Sequence, residues 1–197
     1  MLQYLANTPT RGVVIRPSKD PYNATLLTYT DASYASDPST GRSISGQIVT
    51  VDNTVLDWTS KHQPYVTLSS GDSETVAAAS AATQAEYWSQ LFEHAFGSRP
   101  KSLIATDSTT ARNLLTNPMH TTVMKHIRTK MLYVRELIGA HRHQLFHIPG
   151  KDNPADMMTK PLDGRTIRHL KRPLRSWGGE VAREDANAAK TKVSYTT

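Results

Sequence analysis

Four acidic residues of this chain lie where predicted secondary-structure elements begin or end, so their side chains can converge. They are Asp31, Glu74, Asp107 and Asp156. Carboxylates gathered at one point raise each other's pKa, and bound divalent cations offset that cost. Carboxylate oxygens suit hard cations such as Mg²⁺, and two such ions can clamp the attacking and leaving oxygens of a phosphoryl displacement. The pattern favours metal-dependent phosphodiester hydrolysis, although acids that serve as turn residues or helix caps produce the same spacing.

Asp31 and Asp107 each end a predicted strand. The run LLTYTDA (26–32) contains strand-forming residues up to Asp31, and SLIATD (102–107) is a buried-type strand that ends at Asp107. Because strands disfavour aspartate, each acid is either the start of a turn or a functional group. In α/β sheets, functional side chains gather at strand ends, which predicts that these two carboxylates meet.

Glu74 lies in the first turn of the helix predicted from the Ala-rich segment 69–97, which has a serine available as N-cap and a glycine as stop. At helical spacing, Glu74 shares its face with Ala77, Ala81 and Trp88, which is the apolar face. We therefore expect Glu74 to point toward the sheet. Asp72 suits the positive end of the helix dipole instead.

Asp156 lies in the first turn of a short predicted helix, soon after the strand HQLFHIP (143–149). Asn153 is the expected N-cap of this helix, and Pro154 fits its first turn. Two further strands are predicted in residues 46–63, around a hairpin turn at Asp52 and Asn53. The order of three strands, helix, strand, helices, strand and helix predicts an α/β fold with a mixed five-stranded sheet flanked by helices.

The composition points to a polyanionic partner. The chain has 197 residues, a net charge of +6 and no cysteine, and its sequence pI is about 9.6. A basic balance favours nucleic acid, and the segment 163–177 is the most basic part. No run of about 18 apolar residues predicts a membrane span, and no signal-peptide pattern is present. We expect no membrane association and an intracellular location, in the cytoplasm or nucleus.

Several short motifs follow one another in an order that is highly specific. They are YTDASYAS, GRSISG, LDWTSKHQPYVTLSS, SETVAAASAA, MKHIRTKMLYVRELI and HIPGKDNPADMMTKPL. In this order, the run 2–162 resembles the ribonuclease H domain of copia-type LTR retrotransposon polyproteins, preceded by the end of the reverse-transcriptase connection. The resemblance implies three parts: a connection tail (1–22), a ribonuclease H-like domain (23–163) and a basic C-terminal tail (164–197), which we expect to be disordered.

The resemblance places the four acids on the catalytic acids of that family. It implies that Asp31 bridges two Mg²⁺ ions, which Mn²⁺ can replace. Asp156 would complete the site of the ion that activates water, and Glu74 and Asp107 would hold the ion on the leaving-group side. Members of the family usually have two acids near the second position, so Asp72 is the fallback for Glu74.

The implied activity is endonucleolytic hydrolysis of the RNA strand of an RNA–DNA hybrid, with a reverse-transcriptase domain as a possible partner in a parent polyprotein. The candidate substrate contacts are Arg42, Ser43, Lys61 and Ser108. Solvated surface is the alternative for Arg42 and Lys61. A catalytically inactive module that keeps the fold and binds nucleic acid or another partner is the second functional hypothesis, which the presence of all four acids disfavours.

Overall fold

The computed structural model describes residues 12–15, 20–117 and 125–174, and these ranges contain five strands and five α-helices. The strands are β1 (Thr25–Ser33), β2 (Ile44–Val51), β3 (Thr54–His62), β4 (Lys101–Thr106) and β5 (Gln144–His147). The helices are α1 (Ser70–Phe96), α2 (Thr109–Thr116), α3 (Lys125–Gly139), α4 (Asp156–Thr159) and α5 (Gly164–Lys171). In the described part of the chain, no helix is both long enough and apolar enough to cross a membrane.

The strands form one mixed sheet in the order β3-β2-β1-β4-β5. β1, β2 and β3 pair antiparallel, whereas β4 pairs parallel with both β1 and β5. The β2–β3 turn has positive φ angles at Asp52 (48°) and Asn53 (67°), as a tight hairpin requires. The predicted α/β class and the mixed five-stranded sheet are confirmed.

The register of the parallel pair brings two predicted site residues to one edge of the sheet. Thr30 of β1 pairs with Thr106 of β4, so Asp31 and Asp107 are the next residues on adjacent strands. On its other side, Asp31 pairs with Gly46 of β2. Two acids 76 positions apart in the sequence are thus neighbours because parallel strands present the same ends together.

Helix α1 lies across one face of the sheet. Ser69 caps its start by accepting a hydrogen bond from the Asp72 N–H, and Gly97 ends it with φ 73°. The alanines of its inner face are buried against strand side chains such as Leu26, Val49 and Ile104. Small side chains let a helix approach a sheet closely, and this approach fixes the height of the first turn above β1.

The other face of the sheet is covered near the site by α4 and by the residues around α5. This second core consists of Tyr29, Ile48, Val55, Ala105, Ala155 and Leu174. It is the smaller of the two cores, and it packs against the segment that contains Asp156.

The predicted disorder of the basic tail is wrong for residues 164–174. Asp163 caps α5 by accepting from the backbone N–H groups of Arg165 and Thr166, and Leu170 and Leu174 are buried. The high charge of this segment led to the prediction of disorder. Leu170 and Leu174 are nevertheless at helical spacing, and they form a short apolar face that packs onto the domain. The remainder of the predicted tail, 175–197, and most of the predicted connection tail, 1–11 and 16–19, lie outside the described residues.

Candidate active site

Three of the four predicted acids form a carboxylate cluster, which we define as Asp31, Asp107 and Asp156. One oxygen of each residue lies within 4.8 Å of an oxygen of the other two. Asp31 is 1% exposed, whereas Asp107 and Asp156 are half-buried. In the cluster, Asp31 lies inside β1, Asp107 follows the end of β4, and Asp156 begins α4.

Gly46 permits the close approach that brings Asp156 to Asp31. A Cβ atom at Gly46 would lie 2.6 Å from Thr159 Cγ2, 2.8 Å from Met158 Cβ and 2.9 Å from the Ala155 carbonyl oxygen. These distances are shorter than any ordinary carbon contact, so α4 rests directly on the backbone of β2. The second glycine of the GRSISG motif therefore has a steric function.

Gly46→Ala should force α4 away from the sheet. Overpacking of this kind usually lowers the free energy of unfolding by about 1–3 kcal/mol. The measurement is urea denaturation of the metal-free protein. Gly139→Ala is the matched control, because a Cβ there meets nothing within 4 Å, and it should not destabilise the protein. Equal stability of the two variants would show that α4 can shift at no cost.

Glu74 extends from the first turn of α1 toward the carboxylate cluster, as its spacing predicts. The Ala32 backbone N–H, next to Asp31, lies close enough to this carboxylate to oppose the rise of its pKa. Its Oε2 atom is buried and has no hydrogen-bond partner among the described residues. A buried oxygen without a partner is costly, and it indicates a position at which a bound cation or water completes the site.

Burial and mutual repulsion shift the acids toward their neutral forms. Burial, followed by the charges of Asp31 and Asp107, raises the pKa of Glu74 to about 8. Burial and the charge of Asp31 also raise the pKa of Asp107 and of Asp156. Asp31 is thus the common source of repulsion for the other three acids.

Lys160 and Thr159 contact the carboxylate cluster, and neither was predicted as a site residue. The Lys160 Nζ lies 3.3 Å from Asp31 Oδ2 and 3.1 Å from Asp156 Oδ1, and the Thr159 hydroxyl donates to Asp31 Oδ2. Burial lowers the pKa of Lys160, but the charges of the two acids outweigh it and raise the pKa overall. Both residues belong to the TKPL end of the last family motif, and that position is the signal that could have identified them.

Asn153 connects the last loop to both central strands. Its side-chain amide donates to the Thr30 carbonyl oxygen at 2.9 Å and to Asp107 Oδ1 at 3.3 Å. Its Oδ1 accepts from the Ala155 N–H at 3.2 Å. The prediction that Asn153 is the N-cap of α4 is wrong, because Ala155 has that position. The side chain is instead fully buried and fixes the loop that delivers Asp156.

Relatives of this chain include retrovirus-related Pol polyproteins of plant transposons. The chain is 28% identical over 175 residues to the Pol polyprotein of transposon RE2 from Arabidopsis thaliana. It is 31% identical over 161 residues to the Pol polyprotein of transposon TNT 1-94 from Nicotiana tabacum. These matches cover 88% and 81% of this chain, which spans only 12% of the length of each polyprotein. No protein-family model matches the chain. The predicted resemblance to copia-type polyproteins is confirmed.

Solved structures of ribonucleases H superpose on most of the domain. Ribonuclease H1 from Halobacterium salinarum has a TM-score of 0.51 at 18% identity, over 68% of this chain and 94% of that chain. LC11 ribonuclease H1, solved in complex with an RNA/DNA hybrid, has a TM-score of 0.52 at 15% identity, over 68% of this chain and 93% of that chain. The chain has the ribonuclease H fold.

In this ribonuclease H fold, the donor set fits a hard divalent cation. All the candidate ligands are carboxylates, and three of them lie within 4.8 Å of one another. Glu74 is near enough for the charges of Asp31 and Asp107 to raise its pKa, and one of its oxygens is buried without a partner among the described residues. The Lys160 ammonium already lies between Asp31 and Asp156. The site therefore attracts positive charge, and its oxygens are of the type that Mg²⁺ and Mn²⁺ prefer.

The four predicted substrate contacts occupy different environments on the ribonuclease H fold. Arg42 and Lys61 are exposed. Ser108 is half-buried and caps α2, where its hydroxyl accepts from the Ala111 N–H. Ser43 is fully buried, and its hydroxyl is bonded to the Ala35 N–H at 3.0 Å and to Thr67 Oγ1 at 3.1 Å. A direct substrate contact by the Ser43 side chain therefore does not agree with the structure, and this residue supports the β1–β2 loop instead.

Proposed function

We propose that this chain is a metal-dependent ribonuclease H that hydrolyses the RNA strand of an RNA–DNA hybrid. The observation that supports the proposal most directly is the carboxylate cluster with Glu74 beside it, on a ribonuclease H fold. Relatives that are Pol polyproteins agree with a role in the replication of a retrotransposon, or a role derived from it. A reverse-transcriptase domain in a parent polyprotein is the expected covalent partner.

Asp31, Glu74, Asp107 and Asp156 are the residues that would hold the metal, with Mg²⁺ as the expected ion and Mn²⁺ as a substitute. Two bound divalent ions would supply a water of lowered pKa and would stabilise charge on the attacking and leaving oxygens. The protein holds the ligands in place: Asp31 is fixed within a strand and by Thr159, and Asp107 is fixed by the buried amide of Asn153.

Recognition of the hybrid is expected to rely on shape, phosphate contacts and the 2′-hydroxyls of the RNA strand. Arg42 and Lys61 remain candidate phosphate contacts because they are exposed, and the N-terminal end of α2 at Ser108 is a further one. The basic helix α5 adds positive charge beside the site. His169 of α5 lies 2.8 Å from Asp152, in the 3₁₀ turn (Gly150–Asp152) that precedes Asp156.

The proposal is tested by incubating the protein with a hybrid whose RNA strand is labelled. Cleavage should require Mg²⁺ or Mn²⁺, should stop on chelation, and should be weak or absent on duplex DNA of the same sequence. Binding of the hybrid without cleavage, under all metal conditions, would favour the inactive binding module. Cleavage that persists in excess chelator would contradict the metal-dependent mechanism.

Helix α5 should contribute affinity without sequence preference. Deletion would expose the core around Leu170 and Leu174, so single-charge variants are the better probe. Arg165→Gln should weaken hybrid binding and reduce the steepness of its dependence on log salt by about 0.7–0.9 if the side chain neutralises one phosphate. Lys101→Gln removes one exposed charge at the start of β4, at the far end of the sheet, and is the control. Equal salt slopes for both variants and the wild type would mean that Arg165 contacts no phosphate.

A further inference from the structure

Gln63 joins β2 to the first turn of α1 through a buried side-chain amide. Its Nε2 lies 2.9 Å from Ser45 Oγ of β2 and 2.9 Å from the Ser73 carbonyl oxygen of α1. Its backbone N–H donates to the Ser43 carbonyl oxygen at 2.8 Å. Gln63 is 2% exposed, and Ser45 and Ser73 are buried as well. The amide therefore holds the beginning of the helix against the sheet.

These contacts close a ring that includes Glu74. Ser73 precedes Glu74 in the chain, and the Ala32 N–H lies close enough to the Glu74 carboxylate to oppose the rise of its pKa. Ala32 pairs with Ser45 across β1 and β2, and Ser45 is bonded to Gln63. The links from Gln63 to Ser45 and Ser73 are hydrogen bonds, and a peptide bond joins Ser73 to Glu74, so a shift of Gln63 is transmitted to Glu74.

The orientation of the Gln63 amide has a cost that an apolar residue would not have. Because both bonds use Nε2, the Oε1 atom is buried without a hydrogen-bond partner among the described residues. Buried polar atoms of this kind are uncommon and destabilising. An apolar side chain of similar length would fill the same space without that cost, but the Ser73 carbonyl oxygen would lose the hydrogen bond that Gln63 donates.

We infer that Gln63 is a positioning residue that sets Glu74 at the metal site, an inference that rests on the proposed metal-dependent function. Gln63 touches neither the carboxylate cluster nor, on this inference, the substrate. It acts by fixing the height and rotation of the first turn of α1, which determine where the Glu74 carboxylate lies relative to Asp31. Metal affinity should therefore depend on Gln63 only while Glu74 can act as a ligand.

The experiment measures Mn²⁺ binding to the metal-free protein by titration, together with urea denaturation. Gln63→Met keeps the length of the side chain and removes both donated bonds. It should weaken Mn²⁺ binding by at least about tenfold, the scale found when a residue that orients a metal ligand is replaced. The matched control is Thr50→Val, which removes a buried hydrogen bond of β2 to the Leu27 carbonyl oxygen away from the site. It should destabilise the protein without changing Mn²⁺ affinity.

A double variant separates positioning from general loosening of the fold. If Gln63 acts through Glu74, then Gln63→Met combined with Glu74→Gln should bind Mn²⁺ as Glu74→Gln does alone, because coupled residues are non-additive. The inference is overturned if Gln63→Met binds Mn²⁺ within twofold of the wild type. It is also overturned if the two substitutions weaken binding by independent factors.

Two further outcomes are informative. If Gln63→Met does not fold, Ser45→Ala removes one partner of the amide and should weaken Mn²⁺ binding in the same direction, and unchanged binding by this variant would overturn the inference. If the wild type binds no Mn²⁺, both the positioning role and the proposed metal dependence are wrong. If the wild type binds Mn²⁺ but cleaves no hybrid, only the proposed activity fails, and the titrations still decide the role of Gln63.

Discussion

Asp31→Asn should lower the rate of hybrid cleavage by about a thousandfold or more while hybrid binding persists. Asp31 is the most buried member of the carboxylate cluster. Its charge raises the pKa of Glu74, of Asp107 and of Asp156. Without this ligand, the bound metal would lose several kcal/mol of its stabilisation of the transition-state charge. Because each ~1.4 kcal/mol of activation free energy changes the rate about tenfold, this loss gives the expected factor. Single-turnover cleavage and a separate binding assay in Ca²⁺ measure the two effects.

The same substitution should make the metal-free protein less sensitive to pH. In the folded wild type, burial and Asp31 raise the pKa of Glu74 to about 8, whereas the unfolded chain releases this proton near pH 4. A raised pKa in the folded state contributes stability at low pH that is lost as the pH rises through about 4 to 8. Asp31→Asn removes one source of the shift, so the fall in unfolding free energy over this range should be smaller.

Asp57→Asn is the matched control, because Asp57 is a half-buried strand aspartate that contacts Gln84 and Trp88 and not the site. It should leave the cleavage rate within about twofold, since substitutions away from a site rarely affect it strongly, and it should not change the pH dependence. A large loss of stability in Asp31→Asn, together with unchanged cleavage per folded molecule, would mean that Asp31 is structural.

Glu74→Gln should lower cleavage by about a hundredfold, because a metal ligand loses its charge while its volume and hydrogen bonding remain. Hybrid affinity should change little. Asp72→Asn should cost at most about 1 kcal/mol of stability, the scale of a helix-end charge, and should leave most of the activity. The two acids are two positions apart on α1, so they face different directions on the helix. Paired kinetics and urea denaturation of both variants provide the measurement.

The reverse pattern would place the metal ligand at Asp72 and would show that the rotation of α1 differs from the one described. Equal losses in both variants would instead indicate that both acids contribute charge to the site. Only the expected pattern agrees with the effect of the Asp31 and Asp107 charges on the pKa of Glu74 and with its buried Oε2, which has no partner among the described residues.

The sequence predicts those parts of the site that depend on local pattern. Asp31 and Asp107 could be predicted because an aspartate at the end of a strand-forming run is unusual. Glu74 could be predicted because helical spacing places it on the apolar face of α1. The α/β class follows from the order of strands and helices. These signals need only a few neighbouring residues. The structure differs in one respect, because β1 continues to Ser33 and Asp31 lies inside the strand.

Residues that act over long sequence distances were not predicted. Asn153 reaches the Thr30 carbonyl 123 positions away, and Thr159 reaches Asp31 over 128 positions. Gln63 lies within the LDWTSKHQPYVTLSS motif and its partners are only 18 and 10 positions away, but the motif does not show which groups its amide binds. All three residues lie within the family motifs, but each side chain gains its role from a partner that only the packed fold brings near, so the sequence does not identify that partner. Helix α5 was missed for a different reason, because its charged residues outnumber its apolar ones.

The 128-position span between Asp31 and Thr159 has a consequence for synthesis of the protein. The ribosome releases β1, β2 and β3 first, and short connections join these three strands, which pair with one another in the folded protein. Asp31, however, lacks the hydrogen bond from the Thr159 hydroxyl and the ion pair with the Lys160 ammonium until these two residues have emerged from the ribosome. A nascent or prematurely terminated chain can therefore contain most of the sheet and still have an incomplete site. If the proposed activity is correct, we expect hydrolysis to require a chain that has been translated past the end of α4.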